Sequence, residues 1–143
     1  MDVQDNYGGT ALMTACGEGH VDVVRALQDN AADVNVQDNS GDTALMMACC
    51  EGGHVDVVRV LIEQGADVSM QANSGHTALM YACGGGNVDM VRVLMEKGAN
   101  VDVQDSDGDT ALMKASREGR VDVVRVLVEK GANVNVLLDN GAT

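Results

Sequence analysis

The sequence predicts an all-α solenoid built from stacked helix-turn-helix pairs. The tetrad Thr-Ala-Leu-Met occurs four times, beginning at Thr10, Thr43, Thr77 and Thr110, so that successive copies are 33, 34 and 33 residues apart. Self-similarity at this period is typical of repeat architectures. Each repeat contains two short apolar-periodic segments, and neither is long enough to form a stable helix alone. Stacked repeats bury these apolar faces against one another, which gives a one-dimensional array.

The second repeat shows each element of the pattern in order. Residues 38–42 form a polar turn, in which the glycine suits a positive φ. Thr43 follows as the predicted N-cap of a first short helix, because its hydroxyl can accept a hydrogen bond from a backbone N–H of the first turn. A glycine-containing corner at 52–54 leads to a second helix over about 55–64, and Gly65 ends that helix as a left-handed C-cap.

A single domain is predicted over residues 1–143, because the composition does not shift along the chain. The last residues begin the pattern again, and neither end is a distinct polar capping repeat of the kind that solenoids normally need. We therefore expect a monomer that associates weakly with itself through its uncapped ends. The predicted repeats are 5–37, 38–71, 72–104 and 105–137, with a partial fifth repeat at 138–143.

One position departs from the pattern at the end of the first repeat. Ala31 stands where the second repeat has Gly65. A residue with a Cβ is strained by roughly 1 kcal/mol in the left-handed conformation. The neighbouring Asn30 tolerates this conformation better, so we expect Asn30 to adopt it and to end the second helix of this repeat one residue early.

The residue pattern of the repeats resembles the ankyrin repeat. The family's usual tetrad is Thr-Pro-Leu-His, so here methionine packing is expected to replace a histidine that ties neighbouring loops together. The resemblance implies a curved stack of helix pairs with β-hairpin-like loops at one edge. It also implies a concave face, formed by the turn tips and the first helices, that grips protein partners. The matching segments of the second repeat are 41–45, 53–58, Leu61 and 65–68.

Charge restricts the class of partner. The formal net charge of −13 at pH 7 disfavours nucleic acid, whose phosphates need Lys and Arg, and it disfavours anionic membrane surfaces. A basic or mixed-charge protein fits better as a partner, with the charge mainly raising the encounter rate; solubility alone is the alternative reading. No segment resembles a signal peptide or a membrane span, so we expect an intracellular, cytoplasmic protein.

No constellation of residues predicts catalysis, a cofactor or a metal site. His20 and His54 share a helix-start position that the other repeats fill with different residues, which does not suit a ligand. The turn 105–109 resembles a calcium loop only in its alternating aspartates, and it lacks the later glutamate that such a loop needs. Three cysteines share one repeat position and are expected to fill a small buried slot: Cys16, Cys49 and Cys83.

Positions that differ between repeats are the candidates for partner recognition. A repeat fold leaves such positions free to vary, and here they fall on the turn tips and the first helices. Met47 and Tyr81 are expected to be central, since large and aromatic side chains dominate binding hot spots. The predicted partner-binding residues are Tyr7, Asn39, Asp42, Met47, Asn73, His76, Tyr81, Asp107, Asp109 and Lys114.

The predicted function is a non-enzymatic protein–protein interaction module that holds its partner on repeats two to four. The variation between repeats on that side favours this reading. The alternative is a structural spacer or scaffold segment of a longer ankyrin array, or a designed repeat scaffold, which the absence of capping repeats favours. Enzymatic activity would need residues outside this sequence.

Overall fold

The computed structural model describes residues 3–50 and 53–135 and contains eight α-helices within these ranges. The helices form four successive pairs, and the described residues include no β-strand, so the predicted all-α solenoid is confirmed. The first helices of the pairs are α1 (Ala11–Gly17), α3 (Ala44–Cys50), α5 (Ala78–Gly85) and α7 (Ala111–Arg117). The second helices are α2 (Val21–Asp29), α4 (Val55–Glu63), α6 (Val88–Glu96) and α8 (Val121–Glu129).

The helices stack in two rows. In one row α1, α3, α5 and α7 each contact the next member, and in the other row α2, α4, α6 and α8 do the same. Each first helix also packs on its own second helix. The core uses small and aliphatic side chains, among them Ala48 in α3 and Val57 and Leu61 in α4, which are fully buried. Burial therefore comes from contacts between neighbouring repeats, as a solenoid requires.

Threonine caps the first helix of every repeat. The backbone N–H of Met13 donates to Thr10 Oγ1 over 3.2 Å, and that of Met46 donates to Thr43 Oγ1 over 3.3 Å. The other two repeats form the same bond, each over 3.3 Å. Met13 and Met46 are themselves buried, so the tetrad methionine packs in the core instead of bonding to a neighbouring loop.

Hydrogen bonds tie each turn to the turn before it. The Asn39 N–H donates to the Tyr7 carbonyl over 2.8 Å, and the Asn73 N–H donates to the Ser40 carbonyl over 2.9 Å. The Gln37 side-chain amide donates to the Gly41 carbonyl in the turn that follows it over 2.9 Å, and to the Gln71 carbonyl just before the third turn over 3.2 Å. Backbone and amide groups thus connect the loops without a histidine in the tetrad.

The first two of these junctions carry a second bond. The Asn39 amide donates to the Asn6 carbonyl over 3.2 Å, and the Asn73 amide donates to the Asn39 carbonyl over 3.0 Å. At the third junction the Ser106 N–H donates to the Ser74 carbonyl over 2.9 Å. Ser106 stands where the other turns have asparagine, so this junction has no amide bond of the same kind within the described residues.

Ala31 adopts the left-handed conformation itself, with a φ of 64°. The prediction that Asn30 would do so was wrong, because Asn30 has a φ of −101° and α2 has the same length as α4, nine residues. Gly65 has a φ of 93° at the equivalent position. In both repeats the N–H of the following residue donates back to a carbonyl of the helix. The Ala32 N–H donates to the Leu27 carbonyl over 3.1 Å. The common geometry of the repeat therefore prevails over the local strain.

The outer face of the first repeat is uncovered at the N-terminal end of the stack. Ala11 is exposed, whereas its equivalents in the other three repeats are buried. A cavity of about 300 Å³ opens there, and Val3, Leu27 and Ala32 are among the residues that line it. Self-association through such faces stays a prediction, and the partial fifth repeat at 138–143 lies outside the described residues.

Candidate protein-binding surface

We define the inner face as the surface formed by the four turns and the first helices α1, α3, α5 and α7. All ten predicted partner-binding residues belong to these elements, and the structure divides them into groups. Tyr7 and Met47 line one groove, while four others form a polar network across repeats two to four. Asn39, Asn73 and Asp107 are exposed on the turns. The turns are 5–9, 38–42, 72–76 and 105–109.

The polar network joins residues that the sequence placed on separate repeats. Tyr81 donates its hydroxyl to Asp42 Oδ1 over 2.9 Å, and the Tyr81 and His76 ring centroids lie 5.4 Å apart. His76 Nε2 lies 3.4 Å from Asp105 Oδ2, and Lys114 Nζ lies 2.9 Å from the same oxygen. Four predicted site residues therefore contact one another directly or through Asp105.

Asp105 holds this network together, although it was not among the predicted binding residues. Its side chain is 1% exposed, and its Oδ1 accepts the N–H groups of Asp107 and Asp109 over 2.9 and 3.0 Å. Its Oδ2 faces Lys114 and His76 as ion-pair partners. Burial alone would raise the pKa of Asp105, but the Lys114 ammonium and the two N–H groups outweigh it and hold that pKa below its ordinary value.

Tyr81 is half-buried, and its polar end is already satisfied within the chain. Burial and then the hydrogen bond to Asp42 raise the pKa of Tyr81 above its ordinary value, so the hydroxyl stays protonated as a donor at neutral pH. The neighbouring His76 ring restricts the tyrosine further. Tyr81 is thus built into the surface, in contrast to Tyr7, whose exposed fraction is 79%.

Asp109, another predicted binding residue, is buried and paired within its own repeat. Arg117 Nη1 lies 3.1 Å from Asp109 Oδ2 and donates a hydrogen bond to it. Sequence reasoning missed Arg117, because the pair joins a turn to the end of α7 and has no standard helical spacing. Asp109 is therefore less available to a partner than the exposed Asp107.

A groove of about 400 Å³ crosses the inner face between the first and second repeats. Met13, which is buried, and Met47, which is half-buried, contribute apolar surface to it, and the exposed Tyr7 belongs to its wall. Asp5 stands at the start of the first turn and Asp38 at the start of the second. The acidic side chains that line the groove are Asp5, Glu18 and Asp38.

Asp5 and Asp38 have the same hydrogen bonds within their turns. Asp5 Oδ1 accepts the N–H groups of Tyr7 and Gly9 over 2.9 and 2.8 Å. Asp38 Oδ1 accepts the N–H groups of Ser40 and Asp42, each over 2.9 Å. Among the described residues, no donor or cation contacts the second oxygen of either carboxylate. Each turn therefore fixes a carboxylate at the groove and uses only one of its two oxygens.

The cysteines do not suggest nucleophilic chemistry. Burial raises the pKa of the Cys16 and Cys83 thiols to about 12, and it raises the pKa of Cys49 further, so all three stay protonated at neutral pH. Cys50 is exposed at the end of α3.

The longest helices in residues 3–50 and 53–135 have nine residues, and none of the described helices has the length and apolarity of a membrane span.

Two overlapping matches to one family model cover most of the chain. The model describes three copies of the ankyrin repeat and matches residues 1–72 and 66–137. The chain belongs to the ankyrin-repeat family. Ankyrin repeats are in general protein–protein interaction modules, and the family is typically non-enzymatic. In this ankyrin array, the inner face carries both the groove and the polar network.

Proposed function

We propose that this ankyrin array binds a partner protein on its inner face and that the groove between repeats one and two anchors the partner. The observation that carries the proposal is the groove itself, about 400 Å³ in volume and lined by an exposed tyrosine and two methionines beside acidic groups. Aromatic residues and methionine are enriched at protein interfaces relative to other surfaces. The groove therefore has the composition of an interface core with a charged rim.

Tyr7 is the strongest candidate for a binding anchor. Its side chain is 79% exposed at a turn tip, so it buries little apolar surface in the folded chain. Covering an exposed aromatic ring gives a large gain from burial, and such residues dominate hot spots. Met47 lies in the same groove, where its flexible side chain can adapt to a partner's shape.

The polar network supports binding in a different way. Tyr81, Asp42, His76, Lys114 and Asp105 hold one another in place before any partner arrives. A surface that is already ordered loses less side-chain entropy on binding than a mobile one. We therefore propose that the network is a rigid part of the interface, flanked by the exposed turn residues Asn39, Asn73 and Asp107.

A basic or mixed-charge segment is the proposed form of the partner. The chain carries a net charge of −13, and Asp5, Glu18 and Asp38 concentrate negative charge at the groove. Such a field speeds the approach of a positive partner. We further propose that the protein acts as a monomer in the cytoplasm, where a reducing environment suits its buried thiols.

The uncovered face of the first repeat favours a second candidate function. The cavity of about 300 Å³ beside Val3 and Leu27 lies where a preceding repeat would pack. This face suits a spacer or scaffold segment in a longer ankyrin array, or a designed repeat scaffold. A spacer of this kind would hold other domains at a fixed distance and would not need the groove.

A comparative pull-down tests the proposed function. The bait is the wild-type chain, the groove variant Tyr7→Ala/Met47→Ala, or the control variant Val23→Ala/Val128→Ala, at physiological salt. Val23 and Val128 are exposed apolar residues on the second helices, away from the inner face. Loss of one hot-spot residue costs about 2 kcal/mol or more, so we expect the groove variant to bind at least roughly 30-fold more weakly.

The outcomes separate the two candidate functions. A protein that the wild type and the control capture, but the groove variant does not, supports binding at the groove. Equal capture by all three baits, or capture by none, contradicts it and favours the spacer. Circular dichroism of each bait checks that the variants are folded.

A further inference from the structure

Repeat four contains its own example of a lysine held by a turn carboxylate. Lys114 Nζ lies 2.9 Å from Asp105 Oδ2, while Asp105 Oδ1 accepts two backbone N–H groups of the turn. Lys114 is 17% exposed in its side chain, so its aliphatic stem lies against the inner face. This contact shows where the ammonium group lies when a lysine of a first helix reaches the carboxylate at the start of its turn.

Repeats one and two have the same carboxylate without the lysine. Asp5 and Asp38 occupy the turn position of Asp105, and each uses Oδ1 for the same two backbone bonds. The helix position nine residues later is Lys114 in repeat four, but Thr14 in repeat one and Met47 in repeat two. Within residues 3–50 and 53–135, the second oxygens of Asp5 and Asp38 therefore lack the cation that repeat four supplies from its own chain.

The groove lies where these missing side chains would run. Its lining includes both carboxylates together with Thr14 and Met47, the residues that replace Lys114. Met47 offers an apolar surface for the methylene stem of a lysine. Glu18 adds a further negative charge to the same lining. Repeat three provides a contrast, because Ala72 stands at its turn position and offers no carboxylate.

We infer that the groove is a lysine-binding site that takes lysine side chains from a basic segment of the partner protein. Their ammonium groups would contact Asp5 and Asp38 in the way that the Lys114 ammonium contacts Asp105. This inference rests on the proposed binding of a partner at the inner face and specifies the chemistry of the contact. The apolar lining holds the stem, and the carboxylate that the turn has already oriented holds the charge. Arrays of this form would thus carry two lysine sites in repeats one and two, and none in repeat three.

Nuclear magnetic resonance of the amide-labelled chain tests the site directly. The probe is N-acetyl-lysine N′-methylamide, and the matched control is the norleucine analogue, which has the same stem length without the ammonium. Titration is carried out at physiological salt, where charges beyond about 8 Å are screened. We expect lysine, and not norleucine, to shift the amides bonded to the two carboxylates. These amides belong to Tyr7, Gly9, Ser40 and Asp42.

Three variants decide which carboxylate holds the probe. Asp5→Asn and Asp38→Asn keep a side-chain oxygen for the two backbone bonds, so the fold should persist. In each variant the amides of the altered turn should no longer shift with lysine, because lysine binds there at least about tenfold more weakly. Met47→Lys copies the arrangement of repeat four into repeat two. It should block the site at Asp38 and leave the site at Asp5 able to bind.

Several results would overturn the inference. Equal shifts with norleucine, shifts at the repeat-three amide of Gly75 as large as those at Ser40, or shifts that survive the Asp→Asn changes would each contradict it. A groove-dependent partner captured in the pull-down, together with no lysine-specific shift, would leave the proposed function standing and reject the lysine site. Lysine-specific shifts without any captured partner would support the site and weaken the proposed function.

Discussion

Gly41→Ala should destabilise the array more than Gly65→Ala, although both glycines have a positive φ, of 81° and 93°. At Gly65 nothing lies within 4 Å of an added Cβ, so alanine strains only the backbone. At Gly41 the added Cβ would lie 2.7 Å from the Asn73 backbone nitrogen and 3.1 Å from the Ala72 Cα. These backbone atoms belong to the next turn, so the two turns must move apart.

The expected magnitudes follow from these contacts. Left-handed strain costs about 1–2 kcal/mol, and the smaller unfolded-state entropy of alanine offsets about 0.4–1 kcal/mol of it, so Gly65→Ala should cost about 1 kcal/mol. Gly41→Ala should also disrupt the 2.9 Å bond from the Asn73 N–H to the Ser40 carbonyl. A lost hydrogen bond adds about 1 kcal/mol or more, which brings the total to about 2–3 kcal/mol.

Ala31→Gly provides the converse change. Ala31 already has a φ of 64°, so glycine should relieve strain and stabilise the array by about 0.5–1 kcal/mol. Urea unfolding followed by circular dichroism at the helix band measures all three variants, with the slope compared as well as the midpoint, because repeat arrays can unfold in parts. If Gly41→Ala costs no more than Gly65→Ala, the contact between turns does not limit stability. If Ala31→Gly lowers stability, the strain argument is wrong.

Two further predictions concern titrating groups. Because the folded pKa of Asp105 lies below its unfolded value, the wild type should exceed Asp105→Asn in stability by about 1.5 kcal/mol near neutral pH. That advantage should shrink as the pH falls below about 4 and vanish below the lowered pKa of Asp105. Urea unfolding of both proteins across this pH range measures it, and a constant difference between their midpoints would contradict the prediction. In native protein a maleimide should label Cys50 rapidly and the three buried thiols only after unfolding. Rapid labelling of all four, counted by mass spectrometry, would contradict their burial.

The fold could be predicted because its determinants are local and repeated four times. Thr43 caps its helix through a bond to an N–H three residues away, and such a bond depends only on nearby residues. Ala31 shows the limit of that reasoning. Local preference favoured Asn30 as the left-handed residue, but packing against neighbouring repeats fixes where the chain must turn. Strain at one residue costs less than shifting a whole helix against its neighbours.

The site could be predicted only in part, because its contacts cross from one repeat to another. Variation between repeats identified Tyr81, His76 and Lys114, yet it could not indicate that they point toward one another. Asp105 was missed because its position indicated only a structural residue of the turn. In the structure one of its oxygens accepts backbone N–H groups of the turn, and the other pairs with the Lys114 ammonium. Met47 and Tyr81 were predicted to be central, but the sequence did not indicate that Met47 lines a groove together with Tyr7.

The bonds between successive turns have a mechanical consequence, because they lie one after another along the stack. A force that separates the two ends loads the three junctions in series, and the weakest junction yields first. The first two each combine a backbone bond with an asparagine amide bond. The third combines its backbone bond with the contact between His76 and Asp105, whose strength depends on charge. Under tension the array should therefore open in steps, with ionic conditions setting the resistance of its last junction.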